Sequence, residues 1–199
     1  MFLLRPPQLT DDFGDFIAHA GQSGVRHIVF LSVQGAKNNR FIPHHKTEQL
    51  LINSGLAYTL LRPAYFMQNF TTTLRADLVE RYRIFLPACL PACLPACLPA
   101  CRASVTLIHV NDIGRVAALV LTEPGSRHFG QAYILTAQYR LTFQQMADQL
   151  TAGLGWKITY ISPSPWQFFW TKKYEGLAPG FILIMLLLHY LPRFQAERP

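Results

Sequence analysis

The strongest constraint on the fold is the order in which short apolar runs and amphipathic stretches alternate along the chain. HIVFLS (His27 to Ser32), YTLLR (Tyr58 to Arg62), SVTLIH (Ser104 to His109), QAYILT (Gln131 to Thr136) and KITYIS (Lys157 to Ser162) read as strands. Phe2 to Arg5 is a further strand-like start. Between them lie helical patterns. Thr10 or Asp11 can cap a helix whose Phe13, Phe16, Ile17 and Ala20 share one face and which stops near Gly24. Pro43 to Ser54 reads as a helix ended by Gly55, and Phe66 to Glu80 as the next. Asn111 caps a helix carrying Ile113, Val116, Ala117 and Val120, while Thr142 and Gln145 form a T-x-x-Q capping box for Phe143, Met146, Ala147 and Leu150. An aromatic, Trp-rich helical tail closes the chain. Strands that alternate with helices and are apolar on both faces predict an α/β fold: a parallel sheet covered by helices.

The 199 residues suffice for one domain with a real core, and the 50% hydrophobic and 15% charged content argues against a disordered chain. The net charge is +7, but its basic residues (among them Arg5, Arg26, Arg40, Arg62, Arg75 and Arg81) are scattered. No basic stripe interleaved with aromatics is present, so no nucleic-acid partner is expected. A basic balance also suits an anionic ligand. The opening MFLLRPP lacks the charged and long apolar regions of a signal peptide, and a cytoplasmic location is expected. Phe181 to Leu191 is about half the length that a spanning helix needs, so a packed helix is expected and no membrane span, with an interface-seeking helix left open.

All four cysteines, Cys89, Cys93, Cys97 and Cys101, fall in the run LPACLPACLPACLPAC from Leu86 to Cys101. Each unit contains a proline, so no helix can present the thiols on one face, and the spacing is not that of a zinc knuckle. The run reads as an expanded loop, with no metal site.

Five segments stand out: RPPQLTD (Arg5 to Asp11), GVRHIVFLSVQGA (Gly24 to Ala36), PHHKTEQLLINSGLAYTLLRPAYFMQNF (Pro43 to Phe70), HVNDIGRVAALVLTEP (His109 to Pro124) and the region from Tyr133 to Gly155. They resemble the NmrA-like branch of the atypical short-chain dehydrogenase/reductases. The resemblance implies a partial Rossmann-like, doubly wound parallel sheet that lacks the first βαβ segment. It implies an incomplete NAD(P)-binding-type domain over 1–162, with the LPAC insertion at 86–101, and a helical part of the substrate lobe over 163–199. The G-x-x-G-x-x-G turn that seats a pyrophosphate on a helix N-terminus occurs nowhere in the sequence. Binding of NADP or NAD is therefore expected to be weakened. The strand at Phe2 to Arg5 would present an open edge, which a partner chain could cover.

The same resemblance supplies site residues. Ser32 and Lys46 are the candidate catalytic residues, and both also fall to the cofactor, with Pro6, Pro7, Pro63, Tyr65, Phe66 and Asn69. Ser32 ends a strand where such sheets present polar groups, and equally suits a serine capping the next turn. Lys46, on a helix start, resembles the lysine that bonds the nicotinamide ribose; alone it would read as a solvated lysine. The tyrosine that related dehydrogenases use as proton donor is replaced by Ile42; His44 and His45 could substitute but read as polar surface. Arg62, Pro63, Tyr65, Phe66, Met67 and Asn69 resemble the segment that walls the nicotinamide, and Asp112 reads as a structural carboxylate at a helix N-terminus. The implied function is an NAD(P)H-dependent oxidoreductase acting on quinones or other small molecules. The alternatives are a non-catalytic NAD(P)-sensing regulator and a truncated product without activity.

Overall fold

The computed structural model describes residues 1–5, 13–87 and 104–190. Pro6, Pro7, the caps sought at Thr10 and Asp11, and the four cysteines lie outside the described residues. In chain order the elements are β1 (Phe2–Leu4), α1 (Phe13–Gln22), β2 (His27–Leu31), α2 (Pro43–Asn53), β3 (Ala57–Pro63), β4 (Tyr65–Phe66), a 3-10 turn (Met67–Phe70), α3 (Arg75–Val79) and β5 (Arg83–Phe85). There follow β6 (Ser104–Ile108), α4 (Val110–Thr122), β7 (Gln131–Leu135), β8 (Arg140–Thr142), α5 (Phe143–Leu154), β9 (Thr159–Ile161), α6 (Pro165–Tyr174) and α7 (Pro179–Tyr190). They group into two compact units, one formed by Met1–Met67 with Leu107–Gln138, the other by Gln68–Thr106 with Tyr139–Pro199.

The first unit holds an all-parallel sheet of order β1-β2-β3-β7. Its central strands show why their sequences are apolar at adjacent positions. Ile28, Phe30 and Leu60 pack with Leu3 against Ile17 of α1 and Leu51 of α2. Val29 and Leu61 point to the opposite face and pack against Ala117 and Val120 of α4. Each such side chain contributes about 1.5–3 kcal/mol on burial, and neither face tolerates a polar residue without a partner. Helices cover both faces, as in a doubly wound α/β fold. Helices α1 and α2 stop just before Gly24 and Gly55, whose φ of 84° and 75° suit a residue without a Cβ.

The edges of this sheet are covered less well. β1 buries Leu3 but leaves Phe2 and Leu4 exposed, and β7 exposes Ile134. Among the described residues no strand pairs with the outer side of β1.

Two strands expected in the sheet lie elsewhere. Tyr65 and Phe66 pair in parallel with Leu107 and Ile108, and Ser104–Thr106 pair antiparallel with Arg140–Thr142. β9 pairs in parallel with β5 in the second unit. Polar residues at alternate positions, Ser104 and Thr106 in one and Thr159 in the other, suit half-buried strands rather than a sheet covered on both faces. The continuous helix expected from Phe66 to Glu80 is also broken. Pairing takes up Tyr65 and Phe66, and the hydroxyls of Thr71 and Thr72 bond back to the Gln68 carbonyl at 3.1 and 2.8 Å. Such local bonds compete with helix continuation, and only Arg75–Val79 is α-helical.

Capping shows one expectation met and one corrected. The Thr142–Gln145 box is complete, with Gln145 N–H donating to Thr142 Oγ1 at 3.1 Å and Thr142 N–H to Gln145 Oε1 at 2.8 Å. Asn111 does not cap α4. The cap is His109, whose Nδ1 accepts from Asn111 N–H at 3.2 Å, an acceptor outside the usual Ser/Thr/Asp/Asn set.

The second unit packs Phe168 on Phe85, rings stacked at 5.9 Å, beside buried Leu78, Ile84 and Ile182. Its buried charges are closed into a ring. Lys172 donates to Asp77 and, at 2.7 Å, to Glu175; Arg83 donates to the same two carboxylates at 3.0 and 2.8 Å. Among the described residues no helix is long and apolar enough to cross a membrane.

Candidate functional site at the carboxyl ends of the parallel strands

Leaving β2, the chain stays tied to β3. Ser32 N–H donates to the Leu61 carbonyl at 2.8 Å and Gln34 N–H to the Pro63 carbonyl at 3.0 Å. It then loops back to α2, which begins at Pro43 with no side-chain cap. Pro43 at the first helical position lacks the N–H that would otherwise need a partner. One turn further, Thr47, Glu48 and Leu51 turn inward and are buried.

Glu48 is the centre of the site. Its side chain is 1% exposed, and Arg62 reaches it from the end of β3 with an 11% exposed side chain. Arg62 Nε donates to Glu48 Oε1 at 2.9 Å and Nη2 to Oε2 at 2.6 Å, a two-point fork. Ser32 Oγ donates to Glu48 Oε1 at 2.5 Å. A buried carboxylate is tolerable only with such partners. The network thus joins three elements and commits the Ser32 proton. The Ser32 hydroxyl can serve a neighbour only as an acceptor, and among the described residues it caps no turn.

The start of α2 adds two histidines of different character. His44 lies against Phe30, ring centroids 6.1 Å apart, and its pKa is pushed down to about 4, first by burial and then by the Arg5 guanidinium, with Glu48 opposing. It is neutral at physiological pH. His45 Nδ1 lies 2.7 Å from the Ala36 carbonyl, so that nitrogen carries the proton and donates. Partial burial draws the pKa of the Arg5 guanidinium below its ordinary value.

The structure brings Ser32 and Arg62 together through Glu48. Lys46 sits on the exposed side of the first turn of α2, while Ile42, in the position of the missing tyrosine, is buried. Pro63 is buried at the end of β3, and Tyr65 and Phe66 are half-buried in β4. Asn69 belongs to the second unit, where its carbonyl accepts from Leu74 N–H at 2.8 Å. Asp112 at the first turn of α4 is exposed and pairs with Arg115 at 3.4 Å, a structural contact. The residues that sequence reasoning missed are Glu48, Arg5 and the buried role of His44. Glu48 stands three positions before the core residue Leu51, and a carboxylate on an inward helix face calls for a cation.

A second polar cluster occupies the opposite end of the sheet. His128 Nε2 lies 2.6 Å from Glu123 Oε2 and its Nδ1 lies 2.8 Å from the Tyr133 hydroxyl. Thr59 Oγ1 donates to the His128 carbonyl at 2.6 Å, so the contact of His27 Nε2 with Thr59 Oγ1 at 2.9 Å requires His27 to be the donor. Among the described residues no group of three His, Cys, Asp or Glu side chains could hold a metal.

An open parallel sheet with helices on both faces and a polar network at its strand ends defines a Rossmann-type α/β protein. The chain is similar to NADP(H)-binding reductases of the NmrA-like, atypical short-chain dehydrogenase/reductase kind. It is 30% identical over 164 residues to quinone oxidoreductase 2 of Escherichia coli strain K12, a match covering 81% of this chain and 52% of that protein. It is 25% identical over 162 residues to prestalk A differentiation protein A of Dictyostelium discoideum, covering 81% of this chain and 48% of that one. A solved structure of the NADPH-dependent quinone oxidoreductase of Escherichia coli with NADPH superposes with a TM-score of 0.76 at 25% identity, over 92% of this chain and 62% of that one. The chain spans about half the length of the curated relatives it matches. No protein-family model matches it.

Proposed function

We propose that the chain is the nicotinamide-side part of an NAD(P)H-dependent reductase of quinones or other small molecules. The observation that carries this reading is the Ser32–Glu48–Arg62 network at the carboxyl ends of β2 and β3, where open α/β sheets bind their ligands. Similarity to a quinone oxidoreductase supports the substrate class.

The residues fit the nicotinamide end of the cofactor. Buried Pro63 and half-buried Tyr65 and Phe66 offer a largely apolar wall for a flat ring. Ser32 offers an acceptor oxygen, and Lys46 an exposed ammonium suited to ribose hydroxyls. Pro6, Pro7 and Asn69 complete the proposed cofactor set. When bound, NADPH or NADH supplies the hydride. No glycine-rich phosphate turn occurs in the sequence. A helical substrate lobe over 163–199 joined to the 1–162 domain, a partner chain on the β1 edge and a cytoplasmic place of action belong to the same proposal.

A specific observation favours a second reading, that of a non-catalytic dinucleotide sensor. Ile42 is buried where the proton-donating tyrosine would stand, the Ser32 proton is committed, and His44 is neutral. None of the three can deliver a proton near pH 7, so a reductase would have to take it from another group or from solvent.

One experiment separates the two. The purified, reduced chain is heated with and without millimolar NADPH, and NADPH oxidation is then followed with menadione as acceptor. A melting temperature that rises with NADPH, together with turnover, supports the reductase. A rise without turnover supports the sensor, and a transition indifferent to NADPH removes both.

A further inference from the structure

We infer that Arg62, held from behind by Glu48, presents its Nη1 edge as a hydrogen-bond donor to an uncharged carbonyl oxygen of the bound ligand, with Glu48 as the positioning residue. The inference rests on the proposed function and names the group that this end of the site recognises.

The geometry of the guanidinium leads there. Nε and Nη2 are both spent on the Glu48 carboxylate, at 2.9 and 2.6 Å. Nη1 makes no hydrogen bond among the described residues, and the Arg62 side chain keeps 11% of its surface open. A guanidinium is planar, so fixing two of its nitrogens fixes the direction of the third. Glu48 is itself immobilised from the other side by Ser32, at 2.5 Å. The pair is more open on the arginine side than on the glutamate side, 11% against 1%. What this end offers a ligand is therefore a rigid pair of N–H donors at the end of β3.

Charge decides the class of acceptor. The Glu48 carboxylate cancels the Arg62 charge at contact distance, so a phosphate would gain little net attraction there and would face the carboxylate behind the fork. A neutral carbonyl oxygen, which needs donors and no net charge, fits. Two ligands of the proposed reaction carry one: the carboxamide of the nicotinamide and the ring carbonyl of a quinone. Ser32 does not compete, because its proton already goes to Glu48.

The test measures the dissociation constants of NADPH and of menadione separately, with the melting temperature, for the whole chain and for Arg62→Lys. Lysine keeps a cation for Glu48 but loses the planar fork. The expected result is an affinity about tenfold weaker for one probe and unchanged for the other, the usual scale of one good hydrogen bond. Loss for NADPH assigns the carboxamide, and loss for menadione assigns the quinone carbonyl. If Arg62→Lys does not fold, the triple variant Ser32→Ala, Glu48→Leu, Arg62→Met replaces the network with apolar groups, which is often tolerated, and should show the same selective loss. A general structural defect would lower the melting temperature and both affinities together. A folded variant that binds both probes as the wild type does overturns this inference and leaves the proposed function standing. A wild-type chain that binds neither probe overturns the proposed function, and this inference with it.

Discussion

The two ends of the β1-β2-β3-β7 sheet carry polar clusters built on different chemistry. At the carboxyl ends a buried carboxylate is met by a guanidinium and a hydroxyl, Glu48 with Arg62 and Ser32. At the amino ends a more open carboxylate is met by an imidazole, which is met in turn by a phenol: Glu123, His128 and Tyr133. Arginine is a permanent cation, and its planar fork meets the Glu48 carboxylate at two points. The second is centred on an imidazole, held between a carboxylate and a phenol. Ligand chemistry in an open α/β sheet belongs at the carboxyl ends, and there the chain has its fixed, pre-oriented donors. The amino-end cluster ties the Glu123–His128 corner to β7, and through Thr59 to β3.

The comparison breaks most visibly if the carboxyl-end pair is cut on one side. Glu48→Leu leaves the Arg62 guanidinium in a largely buried position without its carboxylate. Unpairing a buried charge costs about 3–5 kcal/mol. We expect the midpoint of urea unfolding to fall accordingly, with the slope unchanged. The pair-replacing change Glu48→Leu with Arg62→Met should recover most of that loss. A single variant as stable as the wild type would show that Arg62 swings out to water and that the fork is not held.

A smaller effect comes from His44, the imidazole at the same end. Its folded pKa of about 4 lies below the ordinary value of 6.5. The unfolded chain therefore binds a proton that the folded chain refuses between those two values, and stability rises with pH across that window. The contribution is fully present above about pH 6.5 and is lost as the pH falls through about 4. Its size is on the order of 3 kcal/mol. His44→Phe, which keeps the aromatic contact with Phe30, should flatten the stability profile between pH 4 and 6.5. Glu123 at the other end is drawn down by its contact with His128 and then by Arg127. Its contribution has the same sign, present above the ordinary carboxylate range and lost below it, so it persists in the His44 variant at more acidic pH. A profile unchanged by His44→Phe would place the titrating group elsewhere.

The two clusters also differ in how far they could be read from the residues. The strands β1 to β3 and β7, with α1, α2, α4 and α5, were legible because apolar periodicity reports burial directly. β4, β5 and β8 were not, since strands of two or three residues carry no period and are defined by partners remote in sequence. At the carboxyl ends Ser32 and Arg62 could be singled out, Ser32 from its place at a strand end and both through the family resemblance. Glu48 could not be joined to them, because its partners lie 16 and 14 residues away and only the β2-α2-β3 geometry brings them together. The inward turn of a carboxylate beside Leu51 was the available signal. The amino-end cluster left none, because Glu123 and His128 lie in the connection between α4 and β7, where periodicity stops.

The smallest expected effect sharpens the contrast from the amino end. Tyr133→Phe removes one hydroxyl, the partner of His128 Nδ1 at 2.8 Å, and keeps the ring that packs beside Leu61. The Nδ1 atom is left without that partner but can recruit water, since the cluster is only part-buried. A single hydrogen bond of this kind contributes about 1 kcal/mol, several-fold less than the unpaired Arg62 costs. We expect a melting temperature lower by a few degrees and no change in the affinity for NADPH or menadione. If the affinities fell with it, the two ends of the sheet would be coupled through β3, and the division between a ligand-facing end and a purely structural one would fail. If neither quantity moved, the Tyr133 contact would carry no stability, and the cluster would reduce to the His128–Glu123 pair.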